Sequence, residues 1–303
     1  MKSAERRWIA AILLAGAVSI VEAAPDSVKQ GEYIFRAAGC VTCHTDDKNK
    51  SSLLAGGRAL KTVFGVFYTP NITPDPQYGI GRWSDEDFIR ALRLGVSPRG
   101  EQYYPAFPYT SYTRLTDDDL RALKAYLFSV KPVAQPNKSH DLVWYVRFRP
   151  ALAVWKKLFF TPGAYQVRTD KPASWNRGAY LAAVAHCAEC HTPRGVLGNL
   201  QQAKLYSGTR DGPENAVVPN ITPDKKTGIG RWSRSDLTYY LATGATPDGD
   251  YAGDLMADVI DNGLRYLRKD DVQAIAEYIQ SLPAFENPLT KQKNNKKKSE
   301  FDY

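Results

Sequence analysis

Every cysteine in this chain lies in one of two Cys-x-x-Cys-His pentapeptides, Cys40-Val41-Thr42-Cys43-His44 and Cys187-Ala188-Glu189-Cys190-His191. The pattern is the attachment site of a c-type haem. Two thiols form thioethers with the vinyl groups, and the adjacent histidine binds the iron from the proximal side. The spacing is needed because one short turn must place two sulfurs and one imidazole around one macrocycle. A tetrahedral zinc site can also use Cys-x-x-Cys pairs, and a redox dithiol uses one. Neither explains a histidine directly after both pairs.

The two motifs belong to a repeat. Asn71-Ile72-Thr73-Pro74-Asp75 returns as Asn220-Ile221-Thr222-Pro223-Asp224, and Gly79-Ile80-Gly81-Arg82-Trp83-Ser84 returns as Gly228-Ile229-Gly230-Arg231-Trp232-Ser233. The offset is 149 residues, two more than between the haem motifs. One module is therefore used twice. The two Asn-x-Thr sequences sit inside this repeat and read as loop structure rather than as glycosylation sites.

Both modules read as helical, with no strand-like alternation. A helix leads into each motif, over 27–38 and 174–186, and a Gly/Pro-rich loop follows. A short amphipathic helix comes next, over 85–94 and 234–243. The closing helix of the first module starts at Thr116-x-x-Asp119 and carries Leu120, Leu123 and Leu127 at helical spacing; Val272, Ile275 and Ile279 do the same in the second. The expected fold is all-α: two tandem domains, each around one covalently bound haem.

The N-terminus reads as a secretion signal over residues 1–23, with a basic Lys2, Arg6 and Arg7, an apolar run from Trp8 to Val21, and a cleavage site after Ala23. An uncleaved anchor is the alternative. Covalent haem attachment outside the cytoplasm fits export, and the expected location is periplasmic. The formal charge is +8, and removing residues 1–23 takes away three basic and two acidic residues, leaving +7. Much of the excess sits in a tail over 287–303, with Lys291, Lys293, Lys296, Lys297 and Lys298. For a secreted haem protein this charge suits an acidic partner, or peripheral contact with an anionic membrane surface, better than nucleic acid. A disordered solubilising tail explains it equally well.

The shared text now becomes specific. Tyr68-Thr-Pro-Asn-Ile-Thr-Pro-Asp75, the Gly-Ile-Gly-x-Trp-Ser element and Tyr104-Pro-Ala-x-Pro-Tyr-Thr-Ser-Tyr112 resemble the cytochrome c subunits of bacterial alcohol and gluconate dehydrogenases, over nearly all of residues 30–285. The resemblance implies class I cytochrome c domains, here over 24–135 and 173–286, joined by a linker over 136–172. It implies electrons received from a dehydrogenase donor and passed to an oxidase or another cytochrome. Members of that family commonly carry three haems; this chain has motifs for two.

A low-spin electron-transfer haem takes a ligand on each side of the iron, and methionine opposite histidine raises the potential. Met256, 65 residues after His191, lies where the resemblance places an axial methionine, so His191 and Met256 are the expected ligands of the second haem. A packing methionine is the alternative. The equivalent position in the first module is Phe107, which cannot bind iron. His44 is then opposed by His140 from the linker, by water or nothing, or by a tyrosine or lysine, with Tyr104, Tyr109 and Tyr112 nearby. His186 is expected to serve the surroundings of the second haem.

Arg82-Trp83 and Arg231-Trp232 are candidate donors to haem propionates, with packing at a helix start as the alternative. Pro193 is the candidate carbonyl for orienting His191, a role that Asp46 puts in doubt for the first motif. Residues 141–160 are aromatic and basic. They read as an interdomain helix in the seam, with an interfacial helix as the alternative. Three functions stay open: an electron-transfer subunit or carrier, a haem enzyme such as a peroxidase or thiosulfate dehydrogenase using the first haem, or a redox sensor.

Overall fold

The computed structural model describes residues 25–289. The expected signal over 1–23, and positions 290–303 of the expected tail, lie outside the described residues. Helix α1 (Pro25–Ala37) leads into α2 (Cys40–His44); α3 (Asp85–Leu94), the single-turn α4 (Tyr109–Tyr112) and α5 (Asp117–Ser129) complete the first module. After α6 (Ala151–Phe159) in the linker, α7 (Ala173–Val184), α8 (Cys187–His191), α9 (Arg234–Thr243), α10 (Asp254–Asn262) and α11 (Lys269–Gln280) build the second.

Local chemistry explains the helix ends. Ser84 accepts the Asp87 N–H while Asp87 reaches back to the Ser84 N–H, and Ser233 and Asp236 repeat the reciprocal cap at α9. Gly95 and Gly244 close the same helices in the left-handed conformation. At α5 Thr116 accepts the Asp119 N–H, but the Asp119 carboxylate does not return the bond. It turns into the seam instead.

In each module the first helix packs on the last, α1 on α5 and α7 on α11. Leu120, Leu123 and Leu127, and Val272, Ile275 and Ile279, are all buried, as their spacing required. Fully burying one such side chain contributes about 1.5–3 kcal/mol. Ile34, Phe35 and Leu123 of the first module and Leu181, Ile260 and Ile275 of the second belong to one continuous core. The modules therefore fold against each other rather than as beads on a string.

The sequence reading missed a sheet. β1 (Ala59–Thr62) and β2 (Gly65–Tyr68) form an antiparallel hairpin, and β3 (Asp141–Leu142) pairs with β2, aligning Gly65 with Leu142. The linker thus returns to the first module. Phe67, Tyr104 and Leu142 form a second, small apolar cluster beneath it. Four-residue strands carry too few alternating positions to stand out from loop sequence.

Candidate haem sites

Each attachment motif is a single helical turn entered through a left-handed residue, Gly39 (φ 63°) before α2 and His186 (φ 44°) before α8. All four cysteines are free thiols. Burial pushes Cys40 and Cys187 up to about 12, with the neighbouring Cys43 and Cys190 adding to it. A redox dithiol needs the opposite shift. Among the described residues no group of three or more His, Cys, Asp or Glu side chains is placed to hold a bare metal ion, so the zinc reading finds no donor set.

The two histidines are oriented identically. His44 Nδ1 lies 2.8 Å from the Pro70 carbonyl, and His191 Nδ1 lies 2.8 Å from the Pro219 carbonyl. Nδ1 must carry the proton to make that bond, which leaves the Nε2 lone pair available to iron. Burial lowers the pKa of both rings, opposed by these carbonyls, so the neutral form is favoured. A glycine backs each carbonyl. The Gly56 N–H donates to the His44 carbonyl at 2.8 Å, and the Gly208 N–H donates to the His191 carbonyl at 2.7 Å. Both glycines have positive φ, 75° and 79°, and a Cβ would stand 2.4 Å from the Pro70 carbonyl carbon or 2.7 Å from that of Pro219.

This corrects the sequence reading at Pro193. Its carbonyl accepts the Gln201 N–H at 2.9 Å and does not serve His191. The orienting prolines belong to the repeated Thr-Pro-Asn and Val-Pro-Asn segments, Pro70 and Pro219. Asp46 does not deprive the first module of that bond; it caps the turn at 47–49.

The two sites meet at the seam. His186 Nε2 lies 3.7 Å from where a Cβ on Gly39 would stand, and its ring meets Tyr112 edge-on at 5.8 Å. The Tyr112 hydroxyl donates to the Ala38 carbonyl at 2.8 Å. His186 therefore touches the first module as well as preceding the second motif. Glu189, inside the second motif, accepts from Thr110 and Ser111 of α4 and from Arg194. Burial pushes the Cys190 thiol up to about 11, and the charges of Glu189 and of Cys43 in the other module add to it. Helix α10 leans on the first motif, with Arg58 bonded to the Thr42 carbonyl and 3.5 Å from Asp258.

The distal segments differ between modules. Met256 lies in the first turn of the nine-residue α10, half-buried against the common core. Its counterpart Phe107 precedes the four-residue α4, and its ring contacts Tyr103, Tyr109 and Tyr112. His140 is not brought to Phe107. Its Nδ1 accepts the Tyr68 N–H at 3.1 Å, and its ring packs on Phe67 and Tyr104 of the small cluster. Tyr68 is two residues from the carbonyl that holds His44. Tyr104 donates to the Val146 carbonyl, whereas the buried Tyr109 hydroxyl has no hydrogen-bond partner among the described residues. Trp83 and Trp232 are half-buried in equivalent turns ahead of the α3 and α9 caps, with Arg82 and Arg231 exposed beside them. The linker helix spans the seam: Lys156 donates to the Leu94 and Gly95 carbonyls, and Trp155 Nε1 donates to the Leu197 carbonyl at 2.8 Å.

Two short turns each offering two thiols and one pre-oriented imidazole fit haem c. Cys40, Cys43 and His44 would hold one group, and Cys187, Cys190 and His191 the other. The cytochrome c family model matches residues 28–131 and 176–283, one match over each motif. The chain belongs to the cytochrome c family.

This cytochrome is 40% identical over 294 residues to a protein of Cereibacter sphaeroides named "Diheme cytochrome c-type", covering 92% of this chain and 97% of that one. It is 38% identical to the cytochrome c subunit of the quinone alcohol dehydrogenase of Gluconobacter oxydans, over 89% of this chain and 57% of that one. It is 41% identical to the fructose dehydrogenase cytochrome subunit of Gluconobacter japonicus, over 85% of this chain and 53% of that one. The cytochrome thus spans little more than half the length of those two subunits.

Proposed function

We propose that this cytochrome is a two-haem electron carrier or subunit, taking electrons from a periplasmic or membrane-bound dehydrogenase and delivering them to a respiratory oxidase or another cytochrome. Haem c supplies one-electron transfer at each motif. The observation that carries the reading is the seam, where His186, the residue before one motif, meets Tyr112 of the other module and reaches toward Gly39, the residue before the other motif. Sites held this close suit transfer between them. The dehydrogenase subunits among its relatives support the choice of donor.

The chain's own residues set the two sites apart. Met256 is the proposed sixth ligand of the second site. In the first, Phe107 leaves that position without a donor atom, and His140 is the proposed ligand in its place. His140 Nδ1 accepts the Tyr68 N–H, two residues from Pro70, so ligation would require His140 to leave that bond. Export to the periplasm is proposed from the basic and apolar character of residues 1–23. No described helix is long and apolar enough to cross a membrane.

The test is to offer the haem-loaded protein to a substrate-reduced alcohol or sugar dehydrogenase. Reduction at both sites without peroxide turnover supports the carrier. A second reading, a haem enzyme using the first site, draws on Phe107 alone. Rapid peroxide or thiosulfate turnover, with no reduction by any dehydrogenase, favours it.

A further inference from the structure

The linker carries an apolar surface that the packing of the two modules leaves uncovered. Trp144 is 82% exposed, and Phe148 and Leu158 are each 66% exposed. Val154 and Leu158 are four residues apart on one face of α6, opposite Lys156, which grips the first module, while Trp155 at the flank of that face bonds the second. Val196, at 94% exposure, and Leu197 extend the surface from the second module, because the Leu197 carbonyl is bonded to Trp155. The hairpin turn adjoins it too, through the Val143 N–H to the Phe64 carbonyl at 3.1 Å. Large apolar side chains concentrated on three neighbouring segments mark an interaction surface.

The charge of the same stretch selects the occupant. Positions 142–169 hold Arg147, Arg149, Lys156, Lys157 and Arg168 and no acidic residue, while Asp141 and Asp170 just outside pair with Arg147 and Arg168. Arg149 and Lys156 are turned onto backbone carbonyls of the first module. Lys157 is exposed beside the apolar side chains, and so is Arg147, which also donates to the Leu142 carbonyl and lies 3.9 Å from Asp141. Indole and phenyl rings flanked by cations are the chemistry of a bilayer's headgroup boundary, where rings enter the acyl edge and cations meet lipid phosphates. At nine residues α6 is about 13 Å long, too short to span and suited to lying in that boundary.

We propose that the 144–158 face, continued by Val196 and Leu197, docks this protein peripherally on an anionic phospholipid bilayer. The inference goes beyond the electron-transfer reading and stands or falls without it, because lipid binding is read without any redox partner.

The test is co-flotation of the full haem-loaded chain with vesicles of phosphatidylglycerol and phosphatidylcholine, against phosphatidylcholine alone. Two variants are compared, W144S/F148S/L158S and R147E/K157E, with melting and haem absorbance as fold controls. The wild type floats with the anionic vesicles, and each variant loses binding by about tenfold or more. The charge variant decides the matter if the apolar one fails to fold. The proposal is overturned if the wild type stays behind, or if both variants float like it, which would assign binding to the lysine tail they share. A reversible dimer that the same substitutions dissolve would overturn it too, giving the face to a second copy of the chain.

Discussion

The Tyr180 hydroxyl of the second module donates to the Asp119 carboxylate of the first, and the seam returns the bond in mirror fashion, with Tyr33 donating to Asp271. Tyr33 and Tyr180 sit at equivalent places on α1 and α7, and the two aspartates at equivalent places on α5 and α11. The module interface thus has the self-complementary character of a two-fold dimer, written into one chain.

Removing one of these bonds should weaken the seam. Tyr180→Phe leaves the Asp119 carboxylate, 9% exposed, with Gln30 as its one side-chain donor among the described residues. The expected loss is about 1.5–3 kcal/mol, the scale for a hydrogen bond to a charged group. A double-mutant cycle in denaturant with Asp119→Asn should recover most of it as coupling; additive losses would show that the pair does not act as one.

The second pair should make the seam sensitive to acid. Burial raises the Asp271 pKa, but bonds from Arg177 and Tyr33 overcome it and hold the carboxyl below its ordinary range. A depressed carboxylate stabilises the fold above its unfolded pKa of about 3.9 and loses that contribution as pH falls toward the folded value. Melting temperature should therefore fall more steeply below about pH 4 in the wild type than in Asp271→Asn. Parallel curves would remove Asp271 from the account.

Gly208→Ala should disturb the second site through its backbone. The positive φ alone costs about 1–2 kcal/mol for a residue with a Cβ, and that Cβ would stand 2.5 Å from the Asn220 nitrogen. Displacing Pro219 loosens the bond that orients His191, so the second site's midpoint potential should shift while the first stays in place. Gly56→Ala should do the reverse. A loss of stability with both potentials unchanged would show that these glycines only pack.

Much of this architecture was legible in the sequence because it rests on local rules. The haem motifs, the helices at 85–94 and 234–243, and the Leu120 and Val272 series follow from spacing alone, and the structure places each accordingly. Pro70 and Pro219 were missed although their repetition was visible, because nothing local says which proline carbonyl folds back on a histidine. The seam residues Tyr33, Tyr180 and Glu189 make their contacts 61 to 238 residues away, beyond any periodicity argument. The sheet escaped because its strands are short and its third member comes from the linker. His140 was expected to fold back over the first haem; it folds back onto the first module, but where it lands is set by pairing with β2, which sequence spacing does not reveal.

The most direct test is an equilibrium redox titration of the haem-loaded protein, wild type beside Met256→Leu. The account predicts two one-electron transitions in the wild type, the higher belonging to the module with Met256, since a methionine ligand raises the potential. In the variant the higher midpoint should drop while the lower stays where it was. If Met256→Leu leaves both midpoints unmoved, or if the module with Phe107 proves the higher, the assignment of the two sites is wrong.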